Sequence, residues 1–321
     1  MTSVTAAQLT AALASRGWQA AVVPASRVID LRAEIESRRP TIAQGVMAVV
    51  DRNLGFDLPE RFEAGSLVVV AVPHGSALVT LTFDDEPLVV PIPTTYCHHD
   101  AIHDEVVAAL RDLLCPWGHD ATAVPLPEKA LAVCTGLAWY GRNNIAYVAG
   151  AGSYAELVAC ATDACLTDDH WTGPRALPRC EGCSACTRAC PTGAIDGERF
   201  LLHGERCLTL HNESEEPFPA WLDPAWHHCL VGCLRCQEAC PENLAARDEV
   251  AETAAFDRRE TRLLLADVSR AVLAAEPVLR DKLDELGLLE YDDVFLGQVM
   301  PRNLRAAVAA RRSGAPRRGR W

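Results

Sequence analysis

Cys180-Glu-Gly-Cys183-Ser-Ala-Cys186-Thr-Arg-Ala-Cys190-Pro191 and, further along, Cys233-Leu-Arg-Cys236-Gln-Glu-Ala-Cys240-Pro241 decide how this chain is read. Between Cys180 and Pro241 lie nine of the fourteen cysteines, and both runs end on Cys-Pro. The first run is C-x2-C-x2-C-x3-C-P, the spacing by which bacterial ferredoxins hold [4Fe–4S] clusters, with three thiolates on one cubane and the fourth on the other. C-x2-C pairs also make zinc knuckles, but a zinc site requires neither the close third cysteine nor the proline after the last.

Two cubanes need eight thiolates. The first run supplies four, and the second supplies Cys233, Cys236 and Cys240. Its remaining position falls on Leu230, which cannot bind iron. Cys207 and Cys229 compete to replace it. A C-x2-C turn aims both sulfurs at one metal and Cys229 stands one residue off that spacing, which favours Cys207. Crossed ligation then puts Cys180, Cys183, Cys186 and Cys240 on one cluster and Cys190, Cys207, Cys233 and Cys236 on the other. Cys97, Cys115, Cys134, Cys160 and Cys165 read as small buried hydrophobes.

The rest of the composition is that of an ordinary globular protein. A length of 321 residues with 49% hydrophobic content suffices for about two or three domains. The net charge of −13, with lysine only at Lys129 and Lys282, opposes long-range attraction of a polyanion except where arginines gather, in residues 311–321. No run reaches the roughly 18 apolar residues of a membrane span, and the start lacks a basic stretch followed by an apolar one. A cytoplasmic protein without a membrane partner is expected. Thiols crowded into one segment of a long chain are a metal pattern and not a disulfide one.

Apolar periodicity divides the chain. Residues 1–62 read as a helical segment, with helices over 6–16 and 28–39. Residues 63–168 read as an α+β domain that would hold whatever the clusters reduce. In it, 66–73 suits a strand buried on both faces, 78–83 and 88–92 a hairpin, and 101–114 and 128–135 helices, the second closed by Gly136. Residues 121–124, 145–148 and 157–162 are short and strand-like. Residues 175–248 form the double-cluster segment, and 249–321 a helical part with a basic tail, its helical spacing running over 249–288 and 304–310. His98, His99 and His103 open a helix, where histidines are commonly surface or capping residues, and His227 and His228 flank the second run. No Gly-x-Gly-x-x-Gly follows a strand and no P-loop occurs, so nicotinamide on a Rossmann fold and nucleotide hydrolysis lack their signatures.

One further pattern spans several segments. Glu128-Lys-Ala-Leu-Ala-Val-Cys-Thr-Gly-Leu-Ala-Trp139-Tyr-Gly-Arg-Asn143, Gly152-Ser-Tyr154, Cys190-Pro-Thr-Gly-Ala-Ile195, Glu205-Arg-Cys207-Leu-Thr209 and Gly232-Cys-Leu-Arg-Cys-Gln237 together resemble motifs of the epoxyqueuosine reductases. The resemblance implies a nitroreductase-like, reductive-dehalogenase-like α+β domain, followed by a bacterial ferredoxin-like 2×[4Fe–4S] domain and a short helical C-terminal part. It also implies Cys207 as the eighth ligand, a base-off cobalamin fed by the clusters, and Gly136, Leu137, Trp139, Gly141 and Thr209 nearest the corrinoid. An external donor of the ferredoxin or flavodoxin type and tRNA would be the partners, with Pro301-Arg-Asn-Leu-Arg305 resembling an arginine-bearing helix that meets tRNA.

The departures bear on the substrate. The family's proton-donating aspartate falls on Thr122, leaving Asp120, two residues away, as the candidate acid, and the second glycine of Gly-Leu-Gly-Trp is Ala138. Epoxide reduction needs a proton as well as electrons. A small-molecule substrate therefore stays open beside tRNA epoxyqueuosine. The alternative from another class is a ferredoxin-like protein that donates to a partner enzyme, with no corrinoid or substrate of its own.

Overall fold

The computed structural model describes residues 4–84, 86–166, 168–246, 250–266 and 268–312. The basic tail 313–321 lies outside the described residues. Strands run over β1 (Gln19–Pro24), β2 (Ser66–Pro73), β3 (Ser76–Phe83), β4 (Glu86–Ile92), β5 (Ala121–Ala123), β6 (Ala138–Tyr140), β7 (Ala146–Val148), β8 (Ala155–Thr162) and β9 (Val250–Phe256). The chain condenses into two units that interleave along the sequence, whereas the expected segments are sequential. The first unit comprises Met1–Pro73, Asp100–Ser184 and Ile195–Glu205, and the second His74–His99, Ala185–Ala194 and Arg206–Trp321.

The first unit is built on an antiparallel sheet of order β1-β2-β8-β5. Alternation along the strands sends side chains to two separate cores. Val68, Val70 and Val72 of β2 join Val158 and Cys160 of β8 under the helices Ala6–Ala14 and His99–Leu114, through Leu9, Leu13, Val106 and Leu110. Leu67, Val69 and Ala71 join Leu157, Ala159 and Ala161 on the other face, against Leu31 of the helix Val28–Arg38 and Leu131 of the helix Glu128–Cys134. Each valine or leucine among them contributes about 1.5–3 kcal/mol by leaving water. The β-branched run thus has both faces buried, although every pairing in this sheet is antiparallel. Gly136, at φ +80°, ends the helix Glu128–Cys134 in the left-handed region and leads into the hairpin β6–β7.

The helical reading of residues 1–62 misses β1. Gln19–Pro24 is short and alanine-containing, and it becomes a strand because β2 offers it an edge, with Val22 opposite Val68 and Val23 opposite Leu67.

In the second unit a sheet of order β4-β3-β9 carries the hairpin β3–β4 and a parallel neighbour, β9. The helical reading of 249–288 fails over β9, because Val250–Phe256 pairs with a strand more than 160 residues earlier in the chain, a pairing without local signal. Glu249 lies outside the described residues. After β9 the helices Arg258–Ala266, Arg270–Ala275, Pro277–Glu285 and Met300–Arg312 follow. Ala77, Val79, Leu81, Val90 and Ile92 pack with Leu264, Leu283, Met300 and Leu304. Leu230 and Val231 enter this core, and the Leu230 N–H donates to the Pro91 carbonyl at 3.0 Å, which anchors the second cysteine run. Among the described residues no helix is long and apolar enough to cross a membrane.

Candidate iron–sulfur site

The second unit holds seven of the nine clustered cysteines. Cys186 sits on the short helix Ala185–Ala189, which packs against Arg235–Glu238, the helix of Cys236. Each cysteine run thus contributes one turn of helix to a matching pair. Burial pushes the Cys207 thiol up, and Cys190 adds to the effect, while the N–H and hydroxyl of Thr209 donate to Cys207 and oppose it. Burial pushes Cys233 up to about 12, with Cys207 and Cys190 acting in the same direction. Cys190, Cys207 and Cys233 therefore lie close enough to repel one another as thiolates. Buried thiols of this kind lose their protons when they bind metal, which fits iron.

Cys229 is placed differently. It is fully buried beside Leu230 and Val231, and its Sγ lies 3.3 Å from His228 Nε2. Burial raises it well above the usual thiol range, with Cys233 and Glu238 adding to the shift.

Cys180 and Cys183 belong to the first unit. There the Arg142 backbone N–H donates to Cys180 Sγ at 3.4 Å, and Arg142 Nη2 donates to the Cys180 carbonyl at 2.6 Å. Arg142 Nε is buried and has no partner among the described residues. The turn between β6 and β7 also fixes the segment Ile195–Glu205, since Asn144 donates to the Phe200 carbonyl at 2.7 Å. Backbone and guanidinium donors directed at this cysteine would suit a thiolate on a cluster of net negative charge.

The remaining expected residues are divided between the two units. Gly136 and Trp139 are covered by Arg175, whose Nη2 donates to the Gly136 carbonyl at 3.1 Å and whose guanidinium lies 4.9 Å from the Trp139 ring centre. Leu137 packs against the core under β2 and β8, and a Cβ on Gly141 would stand 2.5 Å from Asn143 Oδ1. Thr209, in the second unit, is spent on Cys207. Thr122 is paired with Ala161 in the sheet. Asp120 is half exposed and tied to Arg111 at 3.1 Å and Arg61 at 3.2 Å. Of the five other cysteines, Cys97, Cys134 and Cys160 are buried as expected. Cys115 and Cys165 are exposed, which corrects the buried reading for those two. Sequence reasoning missed Arg142 and Arg175 as groups acting on this site; neither carries a spacing signal of its own.

Residues 179–243 match the family described as a 4Fe-4S double cluster binding domain. The chain is similar to an epoxyqueuosine reductase of Synechococcus sp. (strain CC9605), 35% identical over 131 residues, which are 40% of this chain and 39% of that protein. It is likewise similar to that of Pseudomonas aeruginosa, 36% identical over 41% of this chain and 36% of the relative. The matched stretch spans well under half of these relatives' length. In fold it resembles a crystal structure of a selenomethionine-labelled epoxyqueuosine reductase at TM-score 0.66 and 18% identity, covering 96% of this chain and 82% of that one. It also resembles an epoxyqueuosine reductase with an epoxyqueuosine-modified tRNA-Tyr stem loop, at TM-score 0.60 and 19% identity over 92% and 78% of the two chains.

Proposed function

We propose, for a chain that resembles the epoxyqueuosine reductases in its double-cluster segment and its fold, that it is an oxidoreductase relaying electrons singly through two [4Fe–4S] clusters to a bound acceptor. The observation that carries this reading is the grouping of Cys190, Cys207 and Cys233 in one unit, with Thr209 donating to Cys207. Cys236 would complete that set, and Cys180, Cys183, Cys186 and Cys240 would hold the other cluster. Thr209 and Arg142 direct donors at ligand sulfurs, which favours the reduced, more negative state. An external ferredoxin or flavodoxin would supply the electrons.

The acceptor is the finer part of the proposal. The motif around Gly136 and Trp139 supports a corrinoid, which would supply a cobalt centre able to take up single electrons. Arg175 covers both residues, so a corrinoid there requires Arg175 to move aside. That same cover favours a second reading, a ferredoxin-like protein that donates to a partner enzyme. The substrate in the first reading is epoxyqueuosine in tRNA, in line with the reductase structure solved with a modified stem loop, with Asp120 as the nearest acid to the expected position.

Anaerobic reconstitution followed by iron analysis tests the common part: about eight irons per chain are expected, and half that number or fewer refutes the two-cluster relay. Adding cob(II)alamin separates the two readings. A changed EPR spectrum supports the reductase, and an unchanged one leaves the electron-transfer protein.

A further inference from the structure

Cys207 belongs to neither cysteine run, so no C-x2-C turn aims its sulfur. It stands immediately before the helix Leu208–Glu213, and what holds that helix must aim the thiol. Two fully buried asparagines of the second unit do the holding. Asn212, near the far end of the helix, donates through Nδ2 to the Gly232 carbonyl at 2.7 Å. That carbonyl belongs to the peptide whose N–H is that of Cys233, so the bond orients the peptide plane that enters the second run. Asn303, on the helix Met300–Arg312, donates through Nδ2 both to the Asn212 carbonyl at 3.0 Å and to the Leu230 carbonyl at 3.1 Å. One amide NH2 thereby uses both of its donors to tie the helix after Cys207 to the segment before Cys233.

The turn at Gly232 is also fixed from its other side. Gly232 has φ +63°, and a Cβ there would stand 2.7 Å from Cε2 of Tyr96. The Tyr96 hydroxyl bonds to Glu213, the last residue of the same helix. From Cys207 to Asn212 the helix is a lever of about 7.5 Å. A tilt of about 10° would swing its start by about 1 Å, well beyond the roughly 0.2 Å within which metal–ligand distances are held. A buried amide costs free energy unless its hydrogen bonds are made, and Asn303 lies among Leu230, Met300 and Leu304, where an apolar residue would otherwise pack.

We infer that Asn212 and Asn303 are positioning residues for the cluster that Cys207 serves, holding the lone ligand in register with Cys233 and setting how firmly that cluster is kept. The inference rests on the two-cluster reading above. It gives the C-terminal helix a part in the electron relay without contact to iron.

Timed transfer of iron to a ferrous chelator, from anaerobically reconstituted full chain carrying Asn212→Leu or Asn303→Ser, tests it. In each variant about four of eight irons should leave roughly tenfold faster than in the parent, while the other four leave at the parent's rate. The EPR spectrum of one reduced cluster should change and that of the other should persist. Leu279→Ala is the control for lost stability, since it empties a buried position on the helix Pro277–Glu285, which supplies no residue to these bonds. Its Tm should fall with no fast phase of iron release. Should Asn212→Leu fail to fold, Asn303→Ser, which keeps one hydroxyl donor, gives the same readout. Release at the parent's rate in the asparagine variants, equal acceleration from both clusters, or a fast phase of the same size in Leu279→Ala overturns the inference. A parent chain holding about four irons or fewer refutes the two-cluster relay itself, before any variant is compared.

Discussion

The Arg142 backbone N–H donates to Cys180 Sγ at 3.4 Å while the guanidinium of the same residue donates to the Cys180 carbonyl at 2.6 Å. One residue thereby fastens the turn between β6 and β7 to the first cysteine of the first run. It also sets a positive charge beside a thiol proposed as a cluster ligand. Opposite charge near a cluster stabilises its reduced form.

Arg142→Met should therefore lower the reduction potential of the cluster that Cys180 holds. The expected fall is on the order of tens of millivolts, the effect of one charge at an effective dielectric constant of about 20. The backbone N–H···S bond survives the change, so iron content should hold. Redox titration monitored by EPR reads the shift, and an unchanged potential would show that the guanidinium only ties down the loop.

Cys207 and Cys229 make opposite predictions. Cys207→Ala should leave the protein with about four irons in place of about eight, because Cys190 and Cys233 lose the ligand grouped with them. Cys229→Ala should keep both clusters and cost only packing, about 1–2 kcal/mol for a small buried side chain. Iron analysis of the two reconstituted variants decides the matter; the reverse pattern would make Cys229 the ligand.

His227 should make stability fall on the acid side. It is 3% exposed, neither ring nitrogen has a partner among the described residues, and its ring lies 4.5 Å from that of Phe218. Burial pushes its pKa down from 6.5 to about 4, with the Arg302 charge acting in the same direction. Below pH 6.5 the unfolded chain takes up a proton that the folded chain refuses, so stability drops as pH falls towards 4 and is unaffected above 6.5. Complete refusal bounds the loss at about 3 kcal/mol. His227→Phe should show a smaller fall in Tm between pH 7.5 and 5.5 than the parent; parallel falls would assign the acid sensitivity elsewhere.

Arg302 is expected to matter for stability and not for RNA. Its Nη2 donates to the His211 carbonyl at 3.0 Å and the Asn212 carbonyl at 3.3 Å, Nη1 donates to the Glu216 carbonyl, and the guanidinium stacks 4.2 Å from the Phe218 ring centre. Arg302→Ala strands these carbonyls and should cost about 2–3 kcal/mol. Thermal unfolding measures the cost. Retention of tRNA across a salt series should keep its slope; a shallower slope with unchanged Tm would make Arg302 a phosphate contact.

Much of the chemistry was legible in the residues because it is local. The C-x2-C-x2-C-x3-C-P spacing is a property of one short turn, so the thiols it names follow from covalent geometry. The run at Ser66–Pro73 announces a strand buried on both faces because every second residue is apolar whichever face is counted. Gly136 marks a helix end because only a residue without Cβ takes φ +80° at no steric cost.

What the tertiary structure alone decided depends on partners far away in the chain. β1 and β9 are strands because β2 and β3 offer them hydrogen-bonding edges, and no period within Gln19–Pro24 or Val250–Phe256 carries that information. Arg302 turns inward to three carbonyls, although the resemblance implied a residue that meets tRNA, and Thr209 donates to Cys207. His103 meets Glu128 at 3.8 Å and Glu156 at 3.4 Å although 25 and 53 residues separate them from it. Sequence fixes which side chains are available, but which of them meet is set by how helices pack on the two faces of a sheet, and only the folded chain expresses it.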